Sequence, residues 1–174
     1  IDSILVFIFL PIISLGQVDV QFDIFKTIID FETVKGGTNL YIQCEATKTF
    51  FDKIEFKKES ILQVPDSILN ELENSSQKSF DTIWSSEIFP IDGYKDIDHF
   101  EKCISRDEIL KLFKASGKQQ SILCISQPIF DSTVEHCVVS ISYWKFIGQA
   151  HGCSYLLKKV YGNWIVLETF CIWL

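Results

Sequence analysis

Two pairs of histidine and cysteine residues are the groups in this sequence best suited to chemistry. His136 adjoins Cys137, and His151 lies two residues before Cys153, so together they offer four ligands of the kind that zinc prefers. A hairpin turn near Ala150 would put Cys137 some ten residues along the strand from the second pair. At about 3.3 Å per residue the pairs would lie roughly 30 Å apart. The sequence therefore predicts no metal site and no cofactor.

The second pair alone is a weak candidate for catalysis. A histidine can deprotonate a neighbouring thiol and make it a nucleophile. His151 and Cys153 would share one face of a regular strand, but Gly152 between them favours irregular backbone. No Asn or Asp is evident to orient the histidine, and no glycine-rich oxyanion loop precedes the cysteine. The sequence thus favours a protein without enzymatic activity.

A disulfide is the other chemistry that the six cysteines permit. A three-residue turn at Tyr161 to Asn163 would pair Val160 with Trp164 across a hairpin. The same register sets Cys153 opposite Cys171, where β-carbons come close enough for a bond. A two-residue turn would shift this register. The predicted disulfide between Cys153 and Cys171 therefore depends on the length of the turn.

An acidic segment offers oxygen ligands but not the pattern of a calcium loop. Its carboxylates are Asp92, Asp96, Asp98 and Glu101. A calcium-binding loop that began at Asp92 would need an oxygen ligand at the third position and glycine at the sixth. The sequence has tyrosine and isoleucine there, which indicates a solvated loop. It also contains no phosphate-binding loop, dinucleotide fingerprint, nucleophile elbow or zinc-protease motif.

Helical patterns dominate the first two-thirds of the chain. Apolar residues recur at three-residue steps over 20–34, and two glycines at 36–37 end the pattern. Pro65 opens a second, short helix that fades into a polar run after residue 73. Ser105 and Glu108 form a capping box, which predicts a helix that ends at Gly117.

Strand patterns follow residue 121 and continue to the C-terminus. The segments 134–147, 153–160 and 164–173 are separated by short turns, which is typical of an antiparallel meander. We therefore predict an α+β fold in which N-terminal helices pack on a C-terminal antiparallel β-meander. Residues 17–174 would form this single globular domain.

The apolar run Ile4–Leu15 predicts an export signal. It is too short to cross a bilayer, and Ser14 and Gly16 are the small residues that signal peptidase requires. Residues 1–16 would then be removed, and the mature chain would not stay inserted in a membrane. The chain opens without a basic residue, so a buried first strand or helix is the alternative interpretation.

The charge of the chain argues against some classes of partner. The net charge is −7, and the basic residues are scattered lysines with a single arginine at position 106. Nucleic-acid binding calls for a clustered basic face, so no nucleic-acid partner is expected. An envelope protein or a secreted protein is the expected kind of partner.

The C-terminal segment resembles small exported proteins of uncharacterised function from Bacteroidetes-type bacteria. The resemblance is found in three stretches: Ser-Gln-Pro-Ile-Phe at 126–130, Cys-Val-Val-Ser-Ile-Ser-Tyr-Trp at 137–144 and Leu-Leu-Lys-Lys-Val-Tyr-Gly-Asn-Trp at 156–164. This resemblance implies export and a shared sheet, without catalytic residues. The final Gly162-x-Trp164 hairpin is also similar to the cone-shaped folds related to nuclear transport factor 2, which would imply a pocket.

These observations lead to three functional hypotheses. The first is a periplasmic or secreted binding protein, or an envelope-associated protein, without enzymatic activity. The second is a cone-fold ligand-binding protein or hydrolase. The third is a periplasmic immunity or inhibitor protein, whose acidic charge would suit a basic partner.

Overall fold

The computed structural model describes residues 15–36, 40–84, 103–117, 121–145 and 149–172. The described helices are α1 (Leu15–Gly36), α2 (Lys53–Glu59), α3 (Asp66–Gln77) and α4 (Arg106–Ser116). The short strands are β1 (Leu40–Ile42), β2 (Glu45–Ala46), β3 (Thr82–Ile83), β4 (Ser121–Ile125) and β5 (Ile129–Phe130). The long ones are β6 (His136–Lys145), β7 (Gln149–Val160) and β8 (Asn163–Ile172).

The main sheet has the order β1-β4-β6-β7-β8, and the short strand β5 pairs with β6 beyond the end of β4. Every pairing in it is antiparallel except that of β1 with β4. The gap between β4 and β5 contains Pro128, which has no N–H to donate to a sheet. The prediction of an α+β fold with a C-terminal antiparallel meander is confirmed, and the parallel edge strand β1 is an addition to it.

Local signals explain where the helices begin and end. The predicted capping box at α4 is present: Ser105 Oγ accepts a hydrogen bond from Glu108 N at 3.3 Å, and the Glu108 carboxylate accepts one from Ser105 N at 2.9 Å. Gly117 ends this helix in the left-handed conformation, with φ 63°. At α2, Asp52 caps the first turn and accepts from Ile54 N and Glu55 N.

Helix α3 is longer than the sequence predicted. The helix continues through the polar run to Gln77 instead of fading after residue 73. Ser76 explains this extension, because its buried hydroxyl accepts a hydrogen bond from Phe51 N and donates one to the Thr49 carbonyl, both at 3.0 Å. Contacts with a distant loop, rather than helix propensity, thus stabilise the last turn.

The hairpin between β6 and β7 turns earlier than predicted. Lys145 pairs with Gln149, so Ala150 lies within β7 instead of at the turn. Cys137 consequently lies opposite Leu157, only four residues from Cys153. The predicted separation of roughly 30 Å between the two histidine-cysteine pairs is wrong, because four residues of strand span about 13 Å.

The hairpin between β7 and β8 also differs from the prediction. Val160 pairs with Asn163, so the turn has two residues, Tyr161 and Gly162, rather than three. Both have positive φ, 50° and 85°, as tight hairpin turns of this kind require. This shorter turn by itself would have moved Cys153 out of register with Cys171.

A β-bulge restores that register. Leu157 pairs with Val166, whereas the preceding Leu156 pairs with Glu168, so one extra residue is accommodated in β8. Beyond the bulge Cys153 lies opposite Cys171, and the two form a disulfide with a Cα–Cα distance of 4.0 Å. The two cysteines are therefore brought together by a two-residue turn and a bulge, and not by the three-residue turn that the sequence analysis considered.

Helices cover both faces of the sheet. Alternate strand residues such as Val139 and Leu157 face α1 and pack with Ile24, Phe25 and Ile28; we call this the α1 face. Their neighbours Val138 and Leu156 face the other way and pack with residues of α2, α3 and the preceding loop; we call this the α3 face. The sheet is thus the middle of three layers.

Two segments that the sequence analysis singled out lie wholly or almost wholly outside the described residues. The predicted signal Ile4–Leu15 lies outside the described residues apart from Leu15, at which α1 begins. The acidic segment from Asp92 to Glu101 also lies outside them. Among the helices that the structure describes, none has the length and apolar character needed to span a membrane.

Candidate ligand-binding groove

A line of hydroxyl groups crosses the α3 face of the sheet. Ser140 of β6 pairs with Ser154 of β7, and their hydroxyl oxygens lie 2.8 Å apart. Ser140 Oγ accepts a hydrogen bond from Phe50 N at 2.8 Å, and Ser154 Oγ donates one to the Phe50 carbonyl at 2.8 Å. These serines hold the backbone of the loop over residues 47–51, which we call the docked loop, against the sheet.

A second pair of hydroxyls binds the same loop to the end of β4. The Thr49 side chain is 2% exposed; it donates a hydrogen bond to the Gln127 carbonyl and lies 2.9 Å from Ser126 Oγ. Ser126 Oγ in turn accepts a hydrogen bond from Ser140 N at 2.8 Å. The loop and the sheet therefore share one connected network of buried and half-buried polar groups.

The C-terminal end of α3 completes this network. Ser76 Oγ and Ser79 Oγ both donate hydrogen bonds to the Thr49 carbonyl, at 3.0 and 2.9 Å. Lys48 N donates to Asp81 Oδ1 at 2.8 Å, just beyond the helix. Three segments that are far apart in the sequence thus fix the docked loop.

A cavity of about 190 Å³ lies where the docked loop, the end of α3 and the segment between β4 and β5 meet. Its polar lining residues are Thr47, Thr49, Ser75, Lys78, Ser79 and Gln127. Its apolar lining residues are Phe80, Pro128 and Ile129. We call this cavity the groove.

The groove combines hydrogen-bonding side chains without a partner with an exposed aromatic ring. Among the described residues, the side chains of Thr47, Lys78 and Gln127 have no hydrogen-bond partner, unlike the hydroxyls of Thr49 and Ser79. Phe80 is 73% exposed although it is large and apolar. A concave site with a few polar groups and apolar walls is the usual form of a ligand site.

The structure does not assemble the predicted catalytic candidates into a dyad. Cys153 is bonded to Cys171, and a disulfide sulfur is not a thiolate nucleophile. The backbone of His151 lies in β7 opposite Tyr143. Within the described residues, no three histidine, cysteine, aspartate or glutamate side chains converge as metal ligands would.

A second disulfide, between Cys44 and Cys103, joins residues 59 positions apart. Sequence reasoning did not find it, because no strand register relates the two cysteines. A parallel bridge between Gln43 and Ile104 brings the two segments together. The structure leaves Cys124 and Cys137 as thiols, both buried.

A buried aspartate and histidine form another cluster that sequence reasoning missed. His136 Nδ1 lies 3.0 Å from Asp131 Oδ2, and both residues are buried. Asp131 also accepts hydrogen bonds from His136 N, from Glu135 N and from the Thr133 hydroxyl. The signal for it was the turn sequence Asp131-Ser-Thr, in which an aspartate bonds to the backbone that follows it.

These contacts determine the ionisation of Asp131. Burial opposes the charged form, but the hydrogen bonds from His136, Thr133 and Glu135 outweigh it and lower the pKa of the Asp131 carboxyl. The carboxylate therefore holds the turn between β5 and β6. Burial, together with the negative charge of Asp131, raises the pKa of the adjacent Cys137 thiol well above its usual value, which makes it a poor nucleophile.

A polar pair also lies within the α1 face. The Tyr155 hydroxyl donates a hydrogen bond to the Glu32 carboxylate of α1, and both side chains are buried. Burial, this hydrogen bond and the charge of Glu32 all raise the pKa of Tyr155. The phenol stays protonated at any physiological pH, and the pair connects α1 to the sheet.

No protein-family model, curated protein or solved structure matches this chain. The resemblances to exported bacterial proteins and to cone-shaped folds gain no support from known proteins and stay predictions.

Proposed function

We propose that the protein is exported and acts as a non-enzymatic binding protein, with the groove as its binding site. The observation that carries this proposal is the groove itself, where Thr47, Lys78 and Gln127 have side chains without a partner beside the exposed Phe80. The hydroxyl network beneath it makes the site rigid before any ligand arrives. Such preorganisation reduces the entropy that binding costs.

Cysteine pairing supports the export part of this proposal. Cys44 with Cys103 and Cys153 with Cys171 form two disulfides. Disulfides persist mainly in oxidising compartments outside the cytosol. The apolar run Ile4–Leu15 is the sequence feature that would direct the chain there.

The reactive side chains that the structure describes already have structural roles. These roles support the proposal that the protein is not an enzyme. Cys153 is oxidised, and Cys137 is a buried thiol of raised pKa. Asp131 uses its carboxylate to bind the turn between β5 and β6, and the His136 ring bonds to the same carboxylate. Each of these groups has a structural task that leaves it poorly placed to attack or deprotonate a substrate.

Fractionation of cells that express the full chain tests the export part of the proposal. We expect the protein in the envelope or the medium, with Cys124 and Cys137 alkylated only after unfolding and the other four cysteines alkylated only after reduction. Phe7→Glu, which places a charge in the apolar run, should retain the protein in the cytosol, whereas the control Asp2→Glu should not. Wild-type protein found in the cytosol with six reduced thiols would contradict the proposal.

A further inference from the structure

We infer that the groove binds a single sugar ring, as a free saccharide or as one residue of a longer glycan. This inference rests on the proposed function, since it names the ligand class of the same site. It follows from the size of the groove, from the chemistry of its lining residues and from the way its rim is held.

Size limits the occupant to one small ring. The groove has a volume of about 190 Å³. Pockets that hold drug-sized ligands measure roughly 300–1,000 Å³, so a dinucleotide or a folded peptide would not fit. A pyranose ring is small enough, and the remainder of a glycan would extend into solvent past the exposed Phe80.

The lining of the groove offers both kinds of contact that a sugar makes. It includes the apolar side chains of Phe80 and Pro128 and the hydrogen-bonding groups of Thr47, Lys78 and Gln127. A pyranose presents a face of C–H groups and an edge of hydroxyls, each of which both donates and accepts. The Thr47 hydroxyl and the Gln127 amide also donate and accept, and the Lys78 ammonium donates.

Other small ligands match this lining less well. A purely apolar molecule would cover Thr47, Lys78 and Gln127 and leave them without water or a partner, which opposes binding. An inorganic anion would find a single cation among the lining residues, the exposed Lys78, and one exposed charge attracts it only weakly. A neutral hydroxylated ring can use both the polar and the apolar lining residues.

The rim of the groove is held in place without the ligand. Thr49 and Ser79, which line it, already use their hydroxyls to fix the docked loop and α3 to each other. Their hydrogen bonds leave Thr47, Gln127 and Lys78 as the groups open to a ligand. The hydroxyls of Thr49 and Ser79 thus fix the shape of the groove. The other polar side chains are available to bind the sugar.

Isothermal titration of the purified full chain tests this inference. The probes are maltose, cellobiose and N,N′-diacetylchitobiose at millimolar concentrations, which cover different linkages and an N-acetylated ring. We expect at least one probe to bind. Phe80→Ala should weaken that binding about tenfold by removing the ring contact, and Gln127→Ala should weaken it by a similar factor.

Matched controls separate recognition from folding. Ile83→Ala removes another exposed apolar side chain that does not line the groove, so it should leave binding unchanged. Unchanged thermal unfolding of Phe80→Ala and Gln127→Ala would show that these variants fold. Absence of binding for all three probes, or binding that Phe80→Ala leaves intact, would overturn the inference. Absence of binding in a protein that is exported and oxidised would leave the proposed function standing, whereas binding that neither groove variant weakens, or retention in the cytosol, would count against that function too.

Discussion

The two faces of the sheet are covered in different ways. On the α1 face, the helix packs through large apolar side chains such as Phe25 and Ile28, and Phe25 makes an edge contact with Trp84 at 5.1 Å between ring centroids. On the α3 face, an apolar cluster around Phe56 and Leu72 gives way to the hydroxyls that bind the docked loop.

This difference indicates that the two faces stabilise the fold by different kinds of contact. Apolar burial is strong but non-directional, so it suits the α1 face, where a long helix must be held. Hydrogen bonds are weaker in net terms but fix geometry, because donor and acceptor must align. Hydrogen bonds are found on the α3 face, where they fix the rim of the groove.

The largest effect is expected from Phe25→Ala on the α1 face. Phe25 is 1% exposed, and its removal would leave a cavity between α1 and the sheet. We expect a loss of about 3–5 kcal/mol in the free energy of unfolding, measured by urea denaturation. The matched control Phe80→Ala, at an exposed position, should change it by less than about 0.5 kcal/mol. Similar losses in the two variants would show that the α1 face is not the core described here.

The next largest loss of stability is expected from removal of the disulfide between β7 and β8. The double substitution of Cys153→Ser and Cys171→Ser opens a loop whose ends are 18 residues apart. Loop-closure entropy predicts a loss of about 3 kcal/mol. Guanidinium denaturation checks it, and wild-type protein under reducing conditions should show a loss of at least the same size. A double variant as stable as oxidised wild type would contradict the pairing.

A smaller effect is expected from Ser140→Ala on the α3 face. The change removes the acceptor of Phe50 N and the neighbour of the Ser154 hydroxyl. Because Phe50 is 41% exposed and water can reach its amide, the free energy of unfolding should fall by about 0.5–1.5 kcal/mol, the contribution of a typical hydrogen bond. Ser132→Ala, at an exposed turn position, is the control and should be nearly neutral. Hydrogen exchange at the Phe50 amide should also accelerate in Ser140→Ala, and an unchanged rate would refute the docking of the loop.

The smallest effect concerns pH and the turn between β5 and β6. Because the folded-state pKa of Asp131 lies below its ordinary value of 3.8, the carboxylate stabilises the fold above that pH. This contribution is lost as the pH falls below 3.8 toward the folded-state pKa. Asp131→Asn should therefore be less stable than wild type at pH 7, with a smaller difference at pH 3, in parallel urea titrations. A difference that grows at low pH would show that the sign is wrong.

The sequence predicted features that depend on local chemistry. The capping box of Ser105 and Glu108, the glycine that ends α4 and the order of the C-terminal strands all depend on residues close together in the chain. The register of β7 and β8 was harder, because a two-residue turn and a distant bulge near Leu156 compensate for each other. A bulge leaves little signal in a run of apolar residues.

The groove could not be predicted from the sequence. Its residues come from the docked loop, from the end of α3 and from the segment between β4 and β5, which meet only in the folded chain. Isolated residues such as Thr49, Ser126 and Ser140 resemble ordinary loop and strand residues until their hydroxyls are seen to share a network. Residues that come together only after folding have no regular spacing in the sequence, so no sequence pattern identifies them.

The most direct test of the contrast between the faces is a screen of small polar fragments by amide chemical-shift mapping. If the α3 face holds a preformed site, fragment-induced shifts should concentrate at Thr47, Lys78, Phe80 and Gln127, which line the groove. Residues of the α1 face such as Ile28 and Tyr155 should not respond. Shifts that occur at the α1 face, or that are absent from the groove for every fragment, would contradict the account.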